Sequence, residues 1–319
     1  IITGCDKQVS IVNIPEKIHG KNVTTIGWRA FQYCTKLEEI TFPDTVTDIG
    51  GYAFERCISL KKIIIPDGVP YIRKSTFSDC SSLTVIEIPG SVESIDDNAF
   101  LSCRALTVVK ISDGVKRIGF SAFDTCVSLK LVTIPNSVTN IGGSAFAGCE
   151  SLERIVIPYN VNYIGVTAFD RCRALTSIKI PSSVTTIGRG AFEFCTSLTE
   201  IVIPYSVISI GNDAFYGCDS LQYIMGRKYS CAEQYAYDNN IEFKSLEEAA
   251  TSNISASKYG ILVKDSAGNP ISGASVTFAG ASQETNSDGL ALFDAVTIGD
   301  PAISVSKSGY ETWTNANIN

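Results

Sequence analysis

The chain has 319 residues and a net charge of −7 at pH 7. Apolar residues make up 45% of it, which is enough for a core and excludes a disordered chain. Its length allows about two domains or one long repeat array. It contains one histidine, His19, and no basic run, so a histidine-based catalytic site and a nucleic-acid partner are not expected.

The start of the chain gives no information on targeting. It begins at Ile1 without a methionine, and we interpret it as a mature or trimmed fragment. No stretch approaches the ~20 apolar residues of a membrane helix, so membrane insertion is not expected.

A cysteine recurs every 23 residues, nine times from Cys34 to Cys218. A phenylalanine precedes each of these cysteines by three residues, and a leucine follows each by three. The repeating unit reads C-x-x-L-x-x-I-x-I-P-x-x-V-x-x-I-G-x-x-A-F-x-x. A fixed period of about 20 to 50 residues predicts a solenoid, in which each repeat forms one coil.

Each coil is predicted to contain two short strands. The L-x-x-I-x-I segment alternates in the manner of a strand, and the proline after it ends the ladder because it has no N–H. The V-x-x-I segment predicts a second short strand, followed by one tight helical turn around Ala-Phe. Crossovers between the parallel strands should be right-handed, and the phenylalanines should stack as a ladder through the core.

The regular cysteines allow three interpretations. Equivalent Cα atoms would lie about 5 Å apart, within disulfide range, but cysteines in register point their sulfurs side by side. Buried free thiols are therefore the favoured interpretation. Disulfides and metal ligation remain as alternatives, although no C-x-x-C pair is present.

Some repeats depart from the pattern, and both ends have distinct sequences. Arg73 and Asp96 replace the glycine, and such departures predict a locally irregular solenoid between residues 72 and 113. They indicate either drift at exposed positions or a specialised surface. Near the N-terminus, five inserted residues hold His19, which predicts a surface loop. Residues 230–239 predict a short capping helix that contains Cys231, and residues 241–243 predict a final strand.

The repeat unit resembles that of the BspA-like leucine-rich repeat family of bacterial surface proteins. The resemblance covers residues 12–243, and the segment 231–236 resembles the usual ending of that family. It implies a curved solenoid with caps over residues 1–243, a secreted or cell-surface location, and binding of proteins or glycans on host or microbial surfaces. It implies no catalytic residue, metal or cofactor.

After residue 243 the period is lost. Residues 244–257 are small and polar, which predicts a linker, and residues 258–319 contain short β-type runs. Asp288-Gly289 predicts a hairpin turn between strands near Thr285 and at 290–293. This segment resembles the carboxypeptidase-regulatory-like module, an immunoglobulin-like β-sandwich that stops soon after Trp313. The predicted fold is thus a β-rich right-handed leucine-rich-repeat solenoid followed by an all-β immunoglobulin-like sandwich. The matching residues are Val263, Asp265, Gly268, Pro270, Ile271, Gly273, Ala274, Val276, Thr285, Asp288, Gly289, Phe293, Val305, Gly309 and Tyr310.

The outward side chains of the first strand define a candidate ligand-binding surface. Residues flanking the first isoleucine of L-x-x-I-x-I point away from the core and should line the concave face of the sheet. Exposed apolar patches often mark interaction sites, although β-branched residues also simply suit strands. The candidate ligand-binding residues are Ile64, Val85, Val108, Leu131, Val156, Tyr159, Val202, Tyr205 and Tyr223.

Three classes of function fit the sequence. The favoured class is a secreted or cell-surface, non-catalytic binding or adhesion protein whose concave sheet binds a ligand. The alternatives are a self-assembling region and an accessory region of a larger bacterial surface protein or enzyme.

Overall fold

A computed structural model of the chain describes residues 1–246, 259–263, 271–278, 281–287, 290–293, 303–308 and 313–315. The chain divides into two compact units, Ile1–Ser245 and Leu246–Asn319. The first unit ends two residues later than the predicted solenoid, because its last strand runs to Ser245. Residues 247–257 of the predicted linker lie outside the described residues.

The first unit consists of short strands and one eight-residue helix among its described residues. In chain order these are β1 (Ile11–Asn13), β2 (Lys17–Ile18), β3 (Lys21–Asn22), β4 (Thr25–Ile26), β5 (Glu39–Thr41), β6 (Asp48–Ile49), β7 (Tyr71–Ile72), β8 (Val85–Ile88), β9 (Ser94–Ile95), β10 (Val108–Ile111), β11 (Arg117–Ile118), β12 (Leu131–Thr133), β13 (Asn140–Ile141), β14 (Tyr163–Ile164), β15 (Thr186–Ile187), β16 (Glu200–Val202), β17 (Ser209–Ile210), β18 (Tyr223–Gly226), α1 (Cys231–Asp238) and β19 (Glu242–Ser245).

The strands form two parallel ladders along the solenoid. The second strand of each coil gives the more continuous ladder, in which seven strands pair in the order β7, β9, β11, β13, β14, β15 and β17. The first strand of each coil gives the first sheet, which is β1–β5, β8–β10–β12 and β16–β18–β19. Between these groups the pairing falls to single bridges, at Lys62 and across Val156, Lys179 and Val202. The predicted parallel solenoid is confirmed.

The predicted helical turn around Ala-Phe is wrong. In residues 52–57 the backbone N–H groups alternate between two kinds of acceptor. Phe54 donates to the Thr76 carbonyl of the next coil, whereas Cys57 donates to the Phe54 carbonyl of its own coil. Tyr52 and Arg56 have left-handed φ values of 59°, which an α-helix does not contain. The coil thus uses every second N–H to hold its neighbour.

The phenylalanine ladder is confirmed. Nine rings from Phe31 to Phe215 stack with centroids 5.2 to 5.7 Å apart and planes within 15° of parallel. These rings are 0 to 3% exposed, so the column forms the centre of the core.

The cysteines form a second buried column, which is mostly thiol. Each thiol from Cys57 to Cys218 donates to the phenylalanine carbonyl 26 residues earlier, at 3.1 to 3.3 Å. The favoured interpretation is wrong only for Cys34, which forms a disulfide with Cys5. A phenylalanine 26 residues before Cys34 does not exist, because position 8 is a glutamine. The first cysteine of the column therefore bonds to the N-terminal segment instead.

This pairing predicts a definite thiol count. The unfolded, unreduced protein should react with nine equivalents of Ellman's reagent, and the reduced protein with eleven. In the folded protein the eight column thiols should react slowly, because they are buried. Eleven thiols without reductant would contradict the Cys5–Cys34 bond.

The inserted N-terminal residues form a hairpin on the surface. β2 and β3 pair antiparallel around His19 and Gly20, whose φ values of 50° and 76° are both left-handed. A two-residue turn of this kind matches the twist of the flanking strands. His19 is exposed at its tip, as the sequence predicted.

Helix α1 closes the opposite end of the core. The ring of Tyr235 meets Phe215 edge-on at 5.6 Å and so terminates the aromatic column. In all internal coils but that of Phe54 the phenylalanine N–H donates to an alanine carbonyl of the next coil, as Phe192 does to Ala214 at 2.8 Å. Phe215 has no following coil, and its N–H donates to the Tyr235 hydroxyl at 3.1 Å. The predicted capping helix is confirmed.

Removing that hydroxyl should destabilise the cap. Tyr235→Phe leaves the buried Phe215 N–H without an acceptor, and we expect the free energy of unfolding to fall by about 1–3 kcal/mol in urea titrations. Tyr237→Phe is the matched control, because Tyr237 is on the same helix and 80% exposed. Equal effects of the two substitutions would contradict this role of Tyr235.

The predicted irregularity between residues 72 and 113 is wrong. β7, β9 and β11 pair in continuous register across Arg73 and Asp96, and Phe77 stacks on Phe100 at 5.2 Å.

The repeated glycine allows close packing of adjacent coils, since a Cβ at Gly142 would lie 2.7 Å from backbone atoms of Gly119.

The second unit contains antiparallel strands in its described residues: β20 (Tyr259–Leu262), β21 (Ser275–Phe278), β22 (Ala281–Glu284), β23 (Leu290–Phe293), β24 (Ile303–Ser306) and β25 (Trp313–Asn315). β20 pairs with β23, and β22, β21, β24 and β25 form a four-stranded sheet. The predicted hairpin across Asp288-Gly289 is therefore wrong, because β22 pairs with β21 and β23 with β20. Asp288 and Gly289 themselves lie outside the described residues. Thr285, which follows β22, is buried, and its hydroxyl donates to the carbonyl of Ile271 before β21 at 2.6 Å.

Candidate functional site

The outer face of the first sheet carries the side chains that alternate with the core. Along β8, Val85 and Glu87 are exposed whereas Ile86 and Ile88 are buried. β10 repeats this alternation, with Lys110 exposed between two buried residues. Because successive Cβ atoms point to opposite faces, each coil presents two outward positions, which form two rows along the solenoid.

Three candidate residues form one continuous stripe in the first row. Val108 lies in register between Val85 and Leu131 on hydrogen-bonded strands. Val85 is 49% and Leu131 54% exposed, and Val108 is half-buried between them. We call these three residues the valine stripe. Ile64 is exposed but lies two residues after Lys62, which pairs with Glu39, so it belongs to the second row and not to the stripe.

Four other candidates surround a lysine. Val156 and Val202 flank Lys179 in the second row, each paired with it by a single bridge. Tyr159 and Tyr205 follow the prolines of the same two coils and are both 62% exposed. Ser182 occupies the equivalent position of the coil between them. We call Val156, Tyr159, Val202 and Tyr205 the tyrosine frame.

Tyr223 is separate from the frame, and two neighbouring side chains contact it. Its hydroxyl hydrogen-bonds to the Glu200 carboxylate, which raises the pKa of Tyr223 because the anionic neighbour favours the protonated phenol. The Lys244 ammonium lies 3.5 Å from its ring centroid. Tyr223 is consequently half-buried, and its ring is less accessible than those of Tyr159 and Tyr205.

Ion pairs neutralise several charges on this face. In the second row Lys110 lies 2.7 Å from Glu87, and one position before the first row Lys61 lies 2.6 Å from Glu38. Lys179 makes no ion pair or side-chain hydrogen bond within the part of the chain that the structure describes, and the same is true of Lys62 and Arg154 in the first row. Sequence reasoning missed this contrast, since an unpaired lysine is recognised only when the residues of adjacent coils are compared 23 positions apart.

Exposed aromatic rings also occur outside the first sheet, where sequence reasoning did not look. Trp28 is 61% and Phe120 53% exposed. Each lies beside a glycine of the next coil, since a Cβ at Gly51 would lie 3.6 Å from Trp28 and one at Gly143 3.4 Å from Phe120. An aromatic residue followed 23 positions later by glycine is the sequence pattern that identifies them.

Several other titratable groups among the described residues have shifted pKa values. Burial raises the pKa of the Cys57 thiol to about 12, and it likewise raises those of the column thiols from Cys80 to Cys172, so they stay protonated and unreactive. Burial also raises the pKa of Asp170, whose carboxylate contacts Arg171 at 2.6 Å. Among the described residues, no three metal-binding side chains cluster. None of the described helices has the length and apolar character that a membrane crossing requires.

The comparisons agree with this architecture. Residues 5–130 and 116–244 match the model of the BspA type leucine rich repeat region in six copies. A leucine-rich repeat protein from Bacteroides ovatus is 32% identical, with a TM-score of 0.61, and the match covers 74% of this chain and 69% of that one. A search of curated protein sequences gave no match.

Two further solved structures are similar to the chain. A leucine rich repeat protein from T. pallidum is 26% identical, covers 75% of this chain and 86% of its own, and has a TM-score of 0.42. A leucine rich cell surface protein from Faecalibacterium prausnitzii is 25% identical, covers 73% and 90%, and has a TM-score of 0.31. The fold is that of a leucine-rich-repeat solenoid, as in the Bacteroides ovatus protein. The chain belongs to the BspA-type leucine-rich repeat family.

Proposed function

We propose that the protein is a secreted or cell-surface, non-catalytic binding or adhesion protein, and that the outer face of its first sheet contacts the partner. The observation that carries this proposal is the valine stripe, three apolar side chains aligned on paired strands and open to solvent. Exposed contiguous apolar surface is characteristic of interaction sites. The partner is a protein or a glycan on a host or microbial surface.

Membership of the family supports the absence of catalysis. Its solenoid presents a sheet, and the column thiols from Cys57 to Cys218 are buried and donate to backbone carbonyls. For the second unit we propose a carboxypeptidase-regulatory-like, immunoglobulin-like spacer, a role supported by its antiparallel strands.

Disrupting the valine stripe should weaken binding of the partner without unfolding the protein. We expect Val85→Lys combined with Leu131→Lys to weaken binding to a panel of immobilised matrix proteins and glycans at least tenfold, because apolar contact is replaced by charge. The matched control is Val166→Lys with Ile208→Lys, which changes exposed apolar residues that lie off the first sheet.

Surface plasmon resonance would measure the binding, and circular dichroism the folding. If the control variant lost as much binding as the stripe variant, or the stripe variant retained all of it, the first sheet would not be the binding face.

A further inference from the structure

The spacing of the residues in the tyrosine frame limits which kind of partner segment can bind to it. Val156 and Val202 lie two coils apart in one row, with Lys179 in register between them. Two strand spacings amount to ~10 Å, and the core rings of these coils are 5.4 Å apart at each step. Tyr159 and Tyr205 repeat the same separation after the prolines, with the small Ser182 between them.

The centre of the frame is cationic. Lys179 is exposed and has no acidic partner within the described residues, whereas Lys110 in the same row is paired with Glu87. A partner that covers the frame would remove water from this ammonium group. The partner must therefore bring an anionic group to the centre and apolar groups to both ends.

An α-helix matches these three points. Residues i and i+7 lie on one helix face and are separated by ~10.5 Å, and residues i+3 and i+4 lie between them. An extended segment does not match, because its side chains on one face repeat at about 6.6 Å and 13 Å. We propose that the tyrosine frame binds an amphipathic helix of a partner protein, with apolar residues at i and i+7 and an acidic residue at i+3 or i+4 that pairs with Lys179.

This inference rests on the proposed function and specifies its partner. The helix would lie along the solenoid axis, across the strands, with its apolar residues against Val156 and Tyr159 at one end and Val202 and Tyr205 at the other. Tyrosine gives such contacts a large area with little loss of side-chain entropy. Recognition by an apolar helix face is a recurring mode of peptide binding.

The test uses the full chain and synthetic peptides. The probe is a fluorescent alanine- and glutamine-rich helix of about 15 residues with leucine at i and i+7 and glutamate at i+3 and i+4. A second peptide carries glutamine in place of both glutamates. Fluorescence anisotropy should show binding of the first peptide and weaker binding of the second.

Two variants separate the contributions. Tyr159→Ala with Tyr205→Ala should weaken binding of both peptides at least tenfold, with thermal unfolding nearly unchanged. Lys179→Gln should weaken only the glutamate peptide, by about threefold, and so abolish the preference between the peptides. Lys62→Gln, at an exposed lysine of the same face outside the frame, is the control and should change neither affinity.

Three results would overturn the inference: no binding of either peptide, a preference for glutamate that survives Lys179→Gln, or binding of a sialylated oligosaccharide that the frame variants abolish while the peptides fail. None of these would contradict the proposed function, which is tested independently by the valine stripe. Conversely, peptide binding at the frame would stand even if the stripe variant retained adhesion.

Discussion

Replacing Phe123 by alanine should lower the free energy of unfolding by about 3–5 kcal/mol. The ring is fully buried between Phe100 and Phe146, at centroid distances of 5.2 and 5.4 Å. Its removal leaves a cavity that the backbone cannot close, because the coils above and below hold the N–H and carbonyl groups of Phe123 and its neighbours. Urea denaturation followed by circular dichroism would measure the change.

The same coil provides the control. Phe120 lies three residues earlier but is 53% exposed, so Phe120→Ala should change the free energy of unfolding by less than about 1 kcal/mol. Both variants lose the same atoms, and only the Phe123 ring belongs to the stacked column. Similar losses in the two variants would show that the column does not dominate stability.

Raising the pH from 8 to 10 should bring the solenoid close to unfolding. In the unfolded chain the thiols ionise near pH 9, whereas burial raises the pKa of Cys57 to about 12 and those of five further column thiols above their usual range. The pKa of a seventh thiol, Cys195, is raised by its hydrogen bond with Cys218 and by burial. The unfolded state therefore loses protons that the folded state retains, so stability is fully present below pH 9 and falls as the pH rises further. At about 1.4 kcal/mol per thiol and pH unit, the loss is on the order of 10 kcal/mol.

That loss is comparable with the whole stability of an ordinary domain, about 5–15 kcal/mol. The measurement is the free energy of urea unfolding at successive pH values. Cys126→Ala removes one titrating group and should make the dependence on pH shallower by about one seventh of the thiol effect. A free energy of unfolding that stays constant between pH 8 and pH 10 would contradict the protonated, buried state of the column.

The periodic part of the fold was predictable because each coil repeats the same environment. The step from Phe31 to Phe54 to Phe77 determines the aromatic column, and the alternation in β8 determines which side chains face outward. The end of the cysteine column was not predictable in this way. Cys34 has the sequence of an internal coil, but no phenylalanine carbonyl lies 26 residues earlier to accept a hydrogen bond from its thiol. Cys34 instead forms a disulfide with Cys5.

Two errors came from treating local sequence as independent of its neighbours. The Ala-Phe segment has the length of a helical turn, but every second N–H binds the next coil, and left-handed residues such as Tyr52 and Arg56 permit this. Asp288-Gly289 has the composition of a tight hairpin turn, but the strands on either side pair with different partners. In both cases hydrogen bonds to distant residues outweighed the local preference.

The candidate site was predictable as a face and not as a set of contacts. Strand alternation placed Val85 and Leu131 outward, as observed. It could not show that Tyr223 is held by Glu200 and Lys244, because those contacts depend on side-chain reach across adjacent coils. For the same reason the sequence could not show that Lys179 has no ion pair within the described residues, whereas Lys110 of the same row has one.

The replacement of missing groups at both ends has an evolutionary consequence. Cys5 substitutes for one absent acceptor at the first coil, and the Tyr235 hydroxyl substitutes for one absent carbonyl at the last. Neither substitution depends on how many coils lie between them. Duplication or deletion of whole 23-residue cassettes would therefore leave both terminators intact, so that unequal recombination within the gene can lengthen or shorten the array without rebuilding its caps.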